Sequence, residues 1–537
     1  MIDGAPVRLA LLCLALAACD GGAAPDGGVD AGGGDAGAVE PPVVETTLGP
    51  VRGRREPGVL AFEGIPYAAP PIGELRWRPP QPPEPWTKPH PATGRPPRCV
   101  QQALGLELSS REDCLYLNVH APDPLPEGAP VMVWIHGGGF IFGEGLQTDG
   151  GTAGDRLAAA HGVVVVSMNY RLGPFGFLAH PALADEQGGT SGNYGLQDQR
   201  AALEWVRDNI AAFGGAPDDV TIFGESAGGF SVCAHLISPA SAGLFHRAIS
   251  QSGLCDTVMA TAAQAMADGQ AFAEAAGCAD EADPLACLRA QRAEDLRAAD
   301  PSGTRAFTEL GGRRVWWPHV DGALLPGDFR ARVEADAFAR VPTVIGWNAD
   351  EGTLFVMLAE QAGTVTDEAT YDATLADLAD SQGVSVDDVR AQYPLAAYPE
   401  PGAAIAAAIG DAALACPSRR AAHLLAEAGA DVRVYHFTYP DASFQLPAER
   451  ELGAFHSAEI QYVFGYPSAV GRTRFVGDDR ALSEAMSAYW AGFASGGPGG
   501  DPAWPTYDLE GDAHLVLDRT VATATGADAD ACALWGR

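Results

Sequence analysis

The sequence predicts an α/β fold, a mostly parallel, doubly wound central sheet flanked by helices. Two observations carry this. Continuous apolar runs at 131–135, 163–169, 220–223, 248–251, 341–346 and 432–438 have the length and β-branched content of strands buried on both faces. Helical patterns, such as 197–213 and 229–236, separate most of them, and parallel strands need such crossovers. In sheets of this kind the chemistry sits beyond the C-terminal strand ends.

Taken in chain order, the first element is an apolar run from Leu9 to Ala18 after Arg8. A bilayer span takes about 20 apolar residues, so 1–18 reads as an export signal. It ends Leu16, Ala17, Ala18, Cys19, which resembles the bacterial lipobox, in which the Cys is acylated and becomes the mature N-terminus. Cys19 is therefore the expected lipidation site, anchoring the chain in a bacterial cell envelope. The alternative is an ordinary signal with a chance Cys, leaving a periplasmic or secreted protein. Asp3 and the single Arg8 make an atypical start for either. Residues 19–42 are mostly Gly, Ala, Asp and Pro with almost nothing to bury, a disordered tether. From 43 to 537 apolar periodicity continues without repeat or linker, so one large domain is expected.

The 537 residues are 47% hydrophobic, enough for a sizeable core. A net charge of −35, with Lys88 the single lysine, excludes a nucleic-acid surface, which needs clustered cations. The acidity reads as solubility, with disfavour of anionic substrates a secondary reading. Beyond Cys13 and Cys19 the remaining cysteines belong to an exported chain, where disulfides form. Cys278 and Cys287 flank a short acidic loop, and Cys99 and Cys114 flank another, whose closure contributes about 3 kcal/mol in the chain-entropy model. Counting leaves the connectivity open. Cys233, in the apolar helical pattern, reads as a buried free thiol. No Cys/His spacing suggests a metal site, and no cofactor is expected.

The segment 223–229 follows the strand at 220–223 and enters a helix. Its Gly224, Ser226 and Gly228 form Gly-x-Ser-x-Gly, a turn sharp enough to project a serine hydroxyl off the strand end. Alone the motif is weak, since Gly-rich turns recur in a chain with 65 Gly. A serine hydroxyl needs an imidazole to take its proton and a carboxylate to orient that imidazole, in the chain order Ser, acid, His. Asp350 and Glu351 follow the strand at 341–346, and His456 lies in a loop ahead of an apolar helical pattern. His136, His246 and His319 read as packing or surface residues. Gly138 and Gly139, after the strand ending at Ile135, can offer unobstructed amides to a developing oxyanion, with Ala227 the third donor. Gly137 and Phe140 suit tight packing equally well.

These segments, with 62–68, 76–80, 112–118, 136–140, 169–177 and 193–200, make the chain resemble the carboxylesterase/cholinesterase family of α/β-hydrolases, the type-B carboxylesterases, from about 43 to the C-terminus. The resemblance implies an α/β-hydrolase fold and hydrolysis of a small-molecule carboxylic ester, with Ser226 as nucleophile, Glu351 rather than Asp350 as the acid and His456 as general base. It also implies the disulfides Cys99–Cys114, Cys278–Cys287 and Cys416–Cys532, and the ion pairs Arg76–Glu112 and Arg171–Asp198. Resemblance thins at 260–312 and 356–410. The stretch 101–106 lacks the Trp on which cholinesterases hold a quaternary ammonium, so choline esters are not expected. Trp316 and Trp317, near the family's acyl pocket, either line it or merely pack. The competing readings are a non-enzymatic cholinesterase-like binding protein, and a lipase, carbamate or polyester hydrolase with the same triad.

Overall fold

The computed structural model describes residues 40–101, 109–147, 151–300, 315–440, 451–467 and 475–536. The export signal, Cys19, nearly all of the tether, 102–106 and 311–314 lie outside the described residues.

Among the described residues the main sheet has eleven strands. In chain order they are β1 (Arg54–Glu56), β2 (Val59–Pro66), β3 (Tyr116–Pro122), β4 (Ala129–Ile135), β5 (Val164–Met168), β6 (Gly215–Glu225), β7 (Arg247–Gln251), β8 (Thr343–Asn348), β9 (Val432–Phe437), β10 (Ala513–Leu517) and β11 (Ala522–Thr525). Across the sheet the order is β11-β10-β9-β8-β7-β6-β4-β5-β3-β2-β1. From β5 to β10 every neighbouring pair is parallel. The outer pairs β5–β3, β3–β2, β2–β1 and β10–β11 are antiparallel.

The apolar runs correspond to the buried centre of this sheet. Val131, Val133 and Ile135 of β4 enter one core layer while Met132 and Trp134 enter the other, so no position on the strand is left for a polar side chain. Boundaries differ where proline and glycine act. The expected strand at 341–346 starts later, at Thr343, because Pro342 has no N–H for a ladder and offers only its carbonyl, to Ala248 N. The expected helix at 197–213 becomes an α-helix, α1 (Tyr194–Asn209), and a 3₁₀ turn, Ile210–Phe213, closed by Gly214 at φ 85°.

Two further helices frame the site, α2 (Ala227–Ile237) after β6 and α3 (Thr353–Gln361) after β8. Later come α4 (Cys416–Glu427) and α5 (Asp478–Ala494). The structure pairs Cys99 with Cys114, Cys278 with Cys287 and Cys416 with Cys532. It corrects the reading of Cys233, which is bonded to Cys255. The chain leaving β7 folds back over α2, a non-local approach that a helical pattern around Cys233 does not reveal. No helix among the described residues is long and apolar enough to cross a membrane.

Arg76 meets Glu112 at 2.6 Å and Arg171 meets Asp198 at 2.7 Å. Arg171 is buried, and Asp198 accepts from its backbone N as well as its guanidinium. Removing the carboxylate strands a buried cation. Asp198→Ala is expected to lower stability by about 3–5 kcal/mol, read as a lower urea midpoint, and an unchanged midpoint would contradict this account.

Candidate active site

Strand β6 ends at Glu225, Ser226 turns at φ 56°, ψ −120°, and α2 begins at Ala227. A positive φ is strained for a residue with a Cβ, and neighbours must hold it. The Ser226 amide donates to Gln251 O at 2.9 Å, tying the turn to the end of β7. A Cβ on Gly228 would overlap the Ile135 carbonyl, and one on Gly224 would lie 2.6 Å from that carbonyl and from Gly228 O. Only glycines let this turn pass the end of β4.

Beyond β4 the chain runs through His136 and Gly137, with Gly138, Gly139 and Phe140 at φ 103°, 58° and 62°. A Cβ on Gly137 would lie 3.1 Å from Ser226 Cβ, so this loop lies directly against the serine. Among the described residues the Gly138 and Gly139 amides have no backbone acceptor. Ala227 follows Ser226 at the first position of α2. His136 is buried and stacks on Tyr170 at 4.3 Å, while the backbone N–H of Val220 donates to His246 Nδ1 and His319 Nε2 meets Ser191 O.

Glu351 and His456 meet. His456 Nδ1 lies 2.6 Å from Glu351 Oε2, both side chains being buried. The other carboxylate oxygen accepts from Asn348 N at 2.8 Å and from Ser252 Oγ at 2.5 Å. Asp350 points elsewhere and accepts from Ala454 N at 2.8 Å, which pins the loop carrying His456. His456 Nε2 lies 3.2 Å from Glu225 Oε1, the residue before Ser226. No hydrogen bond joins Ser226 to the imidazole among the described residues.

A set of polar residues that the sequence reading gave no role surrounds this pair. Ser457 Oγ donates to Glu225 at 2.6 Å, and buried Glu459 accepts from Asn348 Nδ2 at 2.7 Å and Gln251 Nε2 at 2.9 Å. Trp490 of α5 donates to Gln251 Oε1 at 2.9 Å. The available signal was position: Glu225 precedes Ser226, and Glu459 lies three residues past His456, just ahead of the helix Ile460–Phe464. Ser252 had none.

Burial pushes Glu225 up to about 8, with His456 opposing and the Glu459 and Glu351 charges adding. Burial alone would lower His456, but Glu225 and Glu351 more than offset it and hold the imidazole near 9. The two shifts compete for one proton. Ionised Glu225 keeps it on the ring, whereas neutral Glu225 leaves Nε2 able to accept. With carboxylates facing both ring nitrogens, the upward shift of His456 is the direction that prevails.

The two tryptophans separate. Trp316 is buried, donating to Asp300 at 2.8 Å and packing on Phe272. Trp317 is half-buried and packs edge-on against Phe140 at 4.7 Å and Phe230 at 5.1 Å, beside the glycine loop. Phe355 of α3 covers the His456 ring at 5.1 Å. Among the described residues no His, Cys, Asp and Glu cluster could hold a metal ion.

A model of the carboxylesterase family matches residues 40–535. The chain belongs to that family. It is 36% identical to the para-nitrobenzyl esterase of Bacillus subtilis (strain 168), covering 89% of this chain and 95% of that protein. It is 35% identical to the liver carboxylesterase of Sus scrofa, with 92% of each covered, and 33% identical to the acetylcholinesterase of Bungarus fasciatus, covering 92% and 85%. A solved structure of PNB esterase superposes with a TM-score of 0.77 at 34% identity, over 92% of this chain and 99% of that one. The fold of this carboxylesterase-family chain is therefore the α/β-hydrolase fold, and serine-dependent hydrolysis of carboxylic esters follows from the membership.

Proposed function

We propose that Ser226 is the nucleophile, His456 the general base and Glu351 the acid of this esterase, with the Gly138, Gly139 and Ala227 amides receiving the oxyanion. The observation that carries the assignment is the 2.6 Å bond between Glu351 and His456 beside the strained Ser226 turn. Ser226 Oγ attacks the ester carbonyl as His456 Nε2 takes its proton. The carbonyl oxygen becomes an oxyanion among preset amides, worth about 10²–10³ in rate for each donor. The imidazolium gives its proton to the leaving alcohol and the acyl group stays on Ser226. A water, deprotonated by His456, then attacks the acyl-enzyme and releases the acid and Ser226. Glu351 holds Nδ1–H throughout and stabilises the imidazolium. Phosphonylation by an organophosphonate ester should add one label to the peptide containing Ser226; a label elsewhere, or none on protein active against esters, would reject the assignment.

Neutral, apolar esters suit the half-buried Trp317 beside the glycine loop and the net charge of −35. The likeness to a para-nitrobenzyl esterase makes benzyl and p-nitrophenyl esters of graded acyl length the probes of choice. A binding protein without activity is not favoured, since the three side chains are all present.

The competition for a proton sets the pH profile. A general base works only when unprotonated, so kcat/KM falls below the pKa of His456 in the free enzyme. Glu225 raises that pKa. Glu225→Gln is therefore expected to move the acid limb to lower pH, and a limb that stays or moves upward would contradict the geometry.

Export and lipid anchoring through Cys19 fit the disulfides, which form in oxidising compartments. Cys19→Ala should release the protein from the membrane fraction on cell disruption; unchanged membrane association would reject the anchor.

A further inference from the structure

The disulfide between Cys233 and Cys255 joins the two segments that hold opposite sides of the site. Cys233 lies on α2, about two turns beyond Ser226. Cys255 ends the turn that follows β7, and this turn carries Ser252, whose hydroxyl donates to Glu351 at 2.5 Å and whose amide donates to Gly346 O at 2.8 Å. The turn is a difficult one. Ser252 and Leu254 both adopt positive φ, 49° and 47°, a region that side chains with a Cβ avoid. Between them Gly253 is jammed against Gly229 of α2, where a Cβ would lie 2.6 Å from the backbone and overlap Ser250 Oγ. Ser250 Oγ donates to Gly229 O at 3.0 Å and lies 3.3 Å from Cys255 Sγ. On the far side Asp256 is held by Arg330 at 2.5 Å and by Arg420 of α4 at 2.8 Å.

A backbone in two sparsely populated conformations persists only where its surroundings over-determine it. The covalent link to α2 is the strongest of these restraints, and it acts on the residue three places beyond Ser252. Glu351 Oε1 is oriented by two donors, Asn348 N from its own strand and Ser252 Oγ from this turn. When the turn relaxes, the carboxylate loses the second donor and is free to rotate away from Nδ1 of His456.

We propose that the Cys233–Cys255 disulfide is a positioning element of the catalytic centre, clamping the turn at 252–255 to the helix after Ser226 so that Ser252 stays on Glu351. This rests on the assignment of Ser226, His456 and Glu351 above. Opening the clamp slows acyl transfer while leaving the glycine loop and the Trp317 packing against it in place.

The test compares the full-length wild type with two uncrosslinked pairs, C233A/C255A and the fuller C233A/C255V, each with and without Ser252→Ala, on a p-nitrophenyl ester. The expected result is a loss in kcat on the order of 10-fold in both pairs with KM within about twofold. Ser252→Ala should then cost much less in the uncrosslinked backgrounds than in the wild type, because the hydroxyl it removes is already displaced. Wild-type kcat with only a lower melting temperature would overturn the proposal, as would a Ser252→Ala effect that multiplies in full. Failure of both pairs to fold would overturn it too, since a positioning role leaves the folded state intact, and so would a free Cys233 thiol in fully active wild type. Ser226→Ala, assayed beside them, separates the two levels. If it retains activity the catalytic assignment itself falls, whereas an inactive Ser226→Ala beside unaffected uncrosslinked pairs removes only the clamp.

Discussion

Ser226→Ala is expected to lower kcat by about 10⁶-fold while changing KM by no more than a few-fold. The substitution removes the proposed nucleophile, yet it leaves the glycine loop and its amides in place, since the Ser226 turn is held by Gly224, Gly228 and the Gln251 carbonyl rather than by the hydroxyl. Residual turnover then reflects only water attacking an ester bound beside the oxyanion donors. Stopped-time assay with p-nitrophenyl acetate, on protein with wild-type melting behaviour, measures this. Activity within tenfold of wild type would mean that another nucleophile operates, and the burst of p-nitrophenol expected from the wild type should vanish in the variant.

Glu351→Gln should cost about 10⁴ in kcat near neutral pH. Glutamine has nearly the shape of glutamate, so packing is retained, but its amide nitrogen donates where the carboxylate accepted. The imidazole answers by placing its remaining proton on Nε2, which can no longer take the Ser226 proton. The imidazolium also loses the charge that stabilises it at 2.6 Å. Asp350→Asn serves as the contrast. Asp350 holds Ala454 N and does not face the ring, so its replacement should act mainly on the loop at 451–459 and cost far less. Equal losses in the two variants would overturn the division of labour between these adjacent acids.

Much of the candidate site was legible because its parts are local. A glycine two residues either side of Ser226 is demanded by the close passage of the Ile135 carbonyl, and that demand is written in four or five consecutive residues. The central strands were legible for a related reason. Burial on both faces forces continuous apolar runs, as in β5 and β8, where every residue is buried. The antiparallel edges escaped notice because one face or one rim meets solvent. β1 is Arg54–Glu56, and β11 is exposed along its whole length, so neither carries an apolar signal. Cys233 was misread because its partner comes from a turn over another element.

By itself the sequence determined the family and the parallel core, since each is imposed by constraints between near neighbours in the chain: a tight turn, a buried strand, a glycine that must pass a carbonyl. Only the tertiary structure decided that Glu225 and Glu459 stand around the His456–Glu351 pair, and that Ser252 and Cys255 share one strained turn against α2. Those relations join residues scores of positions apart. They arise when β6, β7 and β8 are laid side by side, and a contact made across a sheet leaves no periodicity in the chain that makes it.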